Sequence, residues 1–277
     1  MGVEDMFAGR IGLQGFSRGC FARRKAAPDL DGACRYALQF LGVEPSGRVL
    51  AACRTISDAM NEFAARRGVE PAYHNRHHVI DTLMASASLL RVSLTRGWMS
   101  PDNAMTCIVA MAGHDMFHDG AVNTPERNLE LVAAEAVEKC LKKHMFSQDE
   151  ISTIRQVILS TDPINQRELR TSKREWHESV LQSMCHICGD SDVFASCLPE
   201  IGEYLAKELN SEWNFIQSNN LFAPDSLEGR RIFLESISNF SDPAVELGLP
   251  LVVFEQLQRL YPIPEAVTQK GDSPTRG

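Results

Sequence analysis

The 277 residues carry 28 Lys and Arg against 36 Asp and Glu, a formal net charge of -8, which excludes a basic footprint for a nucleic-acid backbone. Hydrophobic residues at 44% and charged residues at 23% are the mix of a soluble globular chain, long enough to bury a large core without disulfides or a structural metal. No apolar run reaches the roughly 18 residues of a membrane span, so a transmembrane segment is excluded too.

Residues 1–30, with Arg10, Arg18, Arg23 and Arg24 among glycines, show no sustained period and are expected to form a loosely ordered arm. Glu4 and Asp5 speak against a secretory signal, and Met6 stands where a myristoylation start needs Ser or Thr. The expected location is the cytoplasm. From Asp31 apolar residues recur at helical spacing: Val49, Cys53, Ile56, Met60 and Phe63 form one stripe, Leu83, Leu89, Leu90 and Val92 another. Further helices are predicted over 103–116, 128–143, 150–160, 178–188, 193–208, 228–238 and 244–260. Breaks fall at Ser100-Pro101-Asp102, Asp119-Gly120, Asp162-Pro163 and Ser241-Asp242-Pro243, and Ser100 and Asp162 are placed to cap the helices after them. Strand patterns are nearly absent. The expectation is an all-α protein, a multi-helix bundle over 31–261 with a disordered tail at 262–277.

Eight cysteines sit mostly alone in apolar stretches, as free thiols do in a reduced compartment. Cys185 and Cys188 form a single C-x-x-C without the second pair that a zinc cage needs.

Five of eight histidines fall in two short clusters, His74, His77 and His78, then His114 and His118. On a helix His74 and His78 would share a face. His114-Asp115 follows the apolar run Cys107–Ala112, and an ionisable pair at the end of a buried helix is costly unless compensated. A divalent metal is the natural compensation, since imidazole and carboxylate are both good ligands. At least one more ligand is needed, and Asp190 or Asp192, after the helical pattern ending at Gly189, can supply it.

These residues resemble the HD-domain phosphohydrolases, and among them the class I cyclic nucleotide phosphodiesterases. Tyr73-His74-Asn75, His78 and Asp81 are similar to one family motif, and His114-Asp115, His118, Gly120 and Asn123 to a second. Leu159-Ser160-Thr161-Asp162 resembles a threonine-aspartate segment, and Cys188-Gly189-Asp190 a late motif whose aspartate closes the metal site.

The resemblance implies hydrolysis of a 3′,5′-cyclic nucleotide, cyclic AMP or cyclic GMP, to the 5′-monophosphate by a hydroxide bridging two metals. His78, His114, Asp115 and Asp190 would hold the tighter ion, zinc. Asp115 would reach a second, magnesium or manganese. His74 would be the general acid, with His118 and Glu135 orienting metal-bound water. Tyr73, Asn123, Arg230 and Phe233 would meet the substrate, Phe233 as the ring clamp. Arg230 stands where the family has its base-reading glutamine, with Gln256 or Gln258 as another register, and Asp119 replaces the proline after His118. The implied partner is a small nucleotide, with homodimer formation left open. The alternatives are a nucleotidase or other phosphoesterase of the same superfamily, which a guanidinium at Arg230 would suit, and a non-catalytic nucleotide sensor.

Overall fold

A computed structural model describes residues 10–124, 128–171, 179–215, 222–237 and 239–261. Within these, the regular elements are thirteen helices. Three of them are apolar on almost every side and form the centre of one core: α4 (Arg76–Thr95), α5 (Pro101–Gly113) and α9 (Val180–Cys197). A helix without a polar face must be covered all round. Helix α4 accordingly packs against α2 (Leu30–Leu41), α5, α9 and α12 (Asp242–Glu246).

The remaining helices are amphipathic and lie outside. They are α1 (Arg10–Arg23), α3 (Gly47–Arg67), α6 (Leu129–Lys142), α7 (Gln148–Leu159), α8 (Pro163–Thr171), α10 (Pro199–Phe215), α11 (Leu227–Ser236) and α13 (Leu249–Leu260). Among the described residues no helix is long and apolar enough to cross a membrane.

Local chemistry sets several boundaries where the sequence placed them. The Ser100 hydroxyl accepts from Asn103 N with Pro101 in the first turn, and Asp162 Oδ1 accepts from Ile164 N ahead of α8. All eight cysteines are buried and free, and Cys188 on α9 meets Cys107 on α5 through their thiols.

Two expectations are corrected. The segment before Asp31 is not a loose arm throughout, because α1 buries Leu13, Phe16 and Cys20. Full burial of a large apolar side chain contributes about 1.5–3 kcal/mol, which outweighs the roughly 1 kcal/mol that a glycine such as Gly15 or Gly19 costs a helix. Arg23 and Arg24 then close the helix onto buried Asp81 of α4.

Helix α9 does not stop near Cys188 but runs unbroken to Cys197. Gly189 is not a breaker there: a Cβ at that position would run into the Gln166 side chain, so glycine lets α8 approach. The expected tail at 262–277 lies outside the described residues.

Candidate metal centre

The three central helices each deliver part of one cluster. Asn75 caps α4, its Oδ1 accepting from His77 N and His78 N, while its amide donates to Pro71 O and Ala72 O. This fixes His78 in the first turn. His74 lies before the cap, not on the helix, yet its ring centroid is only 5.8 Å from that of His78.

At the other end of the core, α5 finishes at Gly113, buried where a Cβ would strike Val137 of α6. His114 and Asp115 follow directly. Phe117 then takes a left-handed φ of 68°, unusual for a bulky residue, and turns the chain so that His118 stacks on His74 at 3.9 Å.

The third contribution is Asp192, not Asp190. Its Oδ1 lies 3.0 Å from His78 Nε2 and 3.3 Å from His114 Nε2, while Asp115 Oδ2 lies 3.3 and 3.5 Å from the same two nitrogens. Because α9 continues, residues two apart point to nearly opposite sides of it. Asp190 faces away, fully buried, and accepts from Arg170 Nη2 at 2.6 Å and from Ser241 N and Oγ at 2.7 and 2.6 Å. A carboxylate so occupied is a structural ion pair. Asp192 sits one turn beyond Cys188, and His114 two turns beyond Cys107, so the thiol contact registers the two helices and brings their ligands level.

The electrostatics of the cluster call for a cation. His114 Nδ1–H donates to Met111 O at 2.9 Å, which leaves Nε2 to face the two carboxylates. That nitrogen and Asp115 Oδ2 are buried without hydrogen-bond partners. Burial opposes charge on His78, yet the Asp115 and Asp192 carboxylates beside it push its imidazole up to about 10. Burial likewise disfavours the Asp115 carboxylate, and the surrounding histidines hold it well below the usual range all the same. Two imidazoles and two carboxylates with orphaned atoms turned on one point are the donor set of zinc or a similar first-row ion.

Beside this cluster sits a second group, His74, His118 and Glu212, whose nitrogen and oxygen atoms gather within 4.8 Å. Glu212 Oε1 takes His74 Nδ1 at 2.5 Å, and Oε2 accepts from the backbone N of Tyr73 and His74 at 2.7 and 3.0 Å. His74 is thereby fixed in orientation, with Nε2 as the ring nitrogen left for other work. Sequence reasoning missed Glu212, which stands 138 residues along the chain near the end of α10. His118 Nδ1 accepts from Gly120 N, and burial beside His74 pulls its pKa down to about 4.

Other expected site residues fall elsewhere. Glu135 is exposed, because α6 turns Ala133, Ala134, Ala136 and Val137 inward and leaves Glu135 on the outer face. Asn123 spends its amide inside the protein, donating to Glu130 and Asp162 and accepting from Leu129 N, so it is a loop brace rather than a substrate contact. Asp119 Oδ1 accepts from Ala121 N, holding its own turn.

Tyr73, Arg230 and Phe233 do meet, lining a cavity of about 330 Å³ next to the cluster. The Gln256 register finds no support: Gln256 Oε1 accepts from Arg230, and Nε2 donates to Cys197 O and Val252 O.

A search of curated proteins gives no match to the chain. The family model of the 3′5′-cyclic nucleotide phosphodiesterases, however, matches residues 73–145. The stretch that supplies His74, His78, His114, Asp115 and His118 thus resembles the catalytic domain of a 3′5′-cyclic nucleotide phosphodiesterase.

Proposed function

We propose that the protein hydrolyses a 3′,5′-cyclic nucleotide to the nucleoside 5′-monophosphate, using His78, His114, Asp115 and Asp192 to hold a divalent metal, zinc in the tight position. The observation that carries this reading is the pair of orphaned buried atoms, His114 Nε2 and Asp115 Oδ2, inside a two-histidine, two-carboxylate cluster. A bound divalent ion lowers the pKa of water from about 15.7 towards 7 and polarises the phosphoryl oxygens.

The chain's own residues supply the rest. Asp115 would also reach a second ion, magnesium or manganese. His74, gripped by Glu212, presents Nε2 as the proton donor to the departing ribose oxygen, a contribution of roughly 10²–10⁴-fold. Glu212 is a positioning residue, acting through His74. His118, kept neutral, stacks on that imidazole and limits its rotation.

Metal analysis of the purified protein, joined to assays with cyclic AMP and cyclic GMP, tests the proposal. Bound metal and 5′-monophosphate product, both lost in Asp192→Ala, are expected. Metal binding with no turnover of either nucleotide would overturn the enzymatic reading and favour a sensor.

A further inference from the structure

The cavity beside the metal centre is lined by Tyr73, Ser196, Leu205, Trp213, Arg230 and Phe233, with Gly202 in its wall. It adjoins the cluster directly, since the Tyr73 ring lies 4.7 Å from that of His74 and 4.8 Å from that of His78. Its faces are aromatic and aliphatic, as a flat heteroaromatic ring requires. Its polar groups are unequal in kind.

Trp213 contributes an indole N–H, a donor only, which is buried without an acceptor among the described residues. Arg230 contributes a guanidinium, also donor only, lying 5.4 Å from the Phe233 ring centroid. Its Nη1 donates to Ser196 O at 2.5 Å, and its Nη2 to Leu198 O at 3.3 Å and Gln256 Oε1 at 2.9 Å. Those bonds use three of about five N–H groups. A Cβ on Gly202 would come within 2.6 Å of Arg230 Nη2 and would also strike Ser196 O, so the glycine makes room for the guanidinium.

Acceptors are scarce by comparison among the described residues. The Gln256 amide oxygen is taken by Arg230, and the hydroxyls of Tyr73 and Ser196 bond each other at 3.0 Å.

We infer that this cavity selects a nucleobase presenting two adjacent acceptors, O6 and N7 of guanine, over one presenting an amine beside N7, adenine, with Arg230 and Trp213 as the specificity-determining residues. The inference rests on the cyclic nucleotide reading above and names the base. Guanine offers O6 and N7 as adjacent acceptors, the pair a guanidinium meets best, whereas adenine sets an N6 amine beside N7 and turns a donor toward a donor. A buried donor left unpaired penalises the wrong base more than a missing apolar contact does.

The test uses the metal-loaded protein with two readouts, kcat/KM on cyclic GMP and cyclic AMP, and calorimetric binding of GMP and AMP. The expected result is a guanine preference of about tenfold or more in both, carried by KM and binding rather than by kcat. Trp213→Phe keeps an aromatic face and removes the N–H, and should shrink the ratio several-fold. Arg230→Gln should shrink it further, and its melting temperature reports whether the variant is folded. Hydrolysis of cyclic nucleotides with adenine equal or preferred, or a ratio unmoved in Trp213→Phe, overturns the inference and leaves the proposed function standing. Failure to hydrolyse either nucleotide, with GMP still bound more tightly than AMP and that margin reduced in Trp213→Phe, overturns the function and supports the base assignment.

Discussion

Two aspartates two residues apart on α9 make the sharpest test of the metal centre, because the structure gives them opposite jobs. Asp190 carries Arg170 and two donors from Ser241 in a fully buried site. Replacing it with Asn strands the Arg170 charge, and breaking a buried pair on one side costs about 3–5 kcal/mol. Against a total stability of about 5–15 kcal/mol this is large, and at roughly 2 °C per kcal/mol for a chain of this size the melting temperature should fall by about 6–10 °C. Asp192 is partly exposed, and when it is removed Asp115 still faces His78 and His114. Asp192→Asn should keep the fold while losing zinc affinity by more than the roughly 10–100-fold that an outer partner of a ligand is worth. Differential scanning calorimetry of the metal-free proteins and zinc titration against a competing chelator read both effects. A metal-free Asp192→Asn that melts as low as Asp190→Asn, or an Asp190→Asn that loses zinc while Asp192→Asn keeps it, would refute the assignment.

Zinc binding to the metal-free protein at pH 7 should release about one proton or more, because His78, at about 10, holds a proton that the metal must displace. Calorimetry in buffers of different ionisation enthalpy measures this, and zero release would contradict the geometry of the cluster. Glu212→Gln should lower kcat at least about tenfold with a smaller change in KM and a displaced basic limb of the pH–rate profile, as loss of a general acid's orienting partner requires. His118 titrates at about 4 in the folded chain against an ordinary 6.5. Its contribution is therefore present above pH 6.5 and lost as the pH falls towards 4. That interval of about 2.5 units corresponds to about 3 kcal/mol that the metal-free wild type loses in acid and His118→Asn does not, so the two pH-stability curves diverge below pH 6.5 and run parallel above pH 7.

The sequence made the helical bundle and most of the centre readable because those signals are local. Ser100 and Pro101 announce a helix start within three residues, and His114-Asp115 sits visibly at the end of an apolar run. What escaped depends on long range. Gly189 before Asp190 reads as a helix end, but its real cause is the Gln166 side chain arriving from α8. Once α9 is continued through it, one turn from Cys188 leads to Asp192, a signal that was available. Nothing near His74 points to Glu212, because α10 meets it only through the fold. In α1, Leu13, Phe16 and Cys20 follow helical spacing, but the surrounding Arg and Gly residues dilute the stripe.

The grip of Arg23 and Arg24 on Asp81 also bears on where this chain can be trimmed. The family match begins at Tyr73, and a fragment trimmed to it would look complete by its motifs. It would leave Asp81, 2% exposed and within a turn of His78, as an unneutralised carboxylate on the helix that carries this histidine. A fragment started after Arg24 should therefore fail to fold or take up metal, even with every ligand present, whereas one started at Arg10 should do both. The fold around the motifs thus reaches some sixty residues upstream of the family match, to the helix least marked by the sequence.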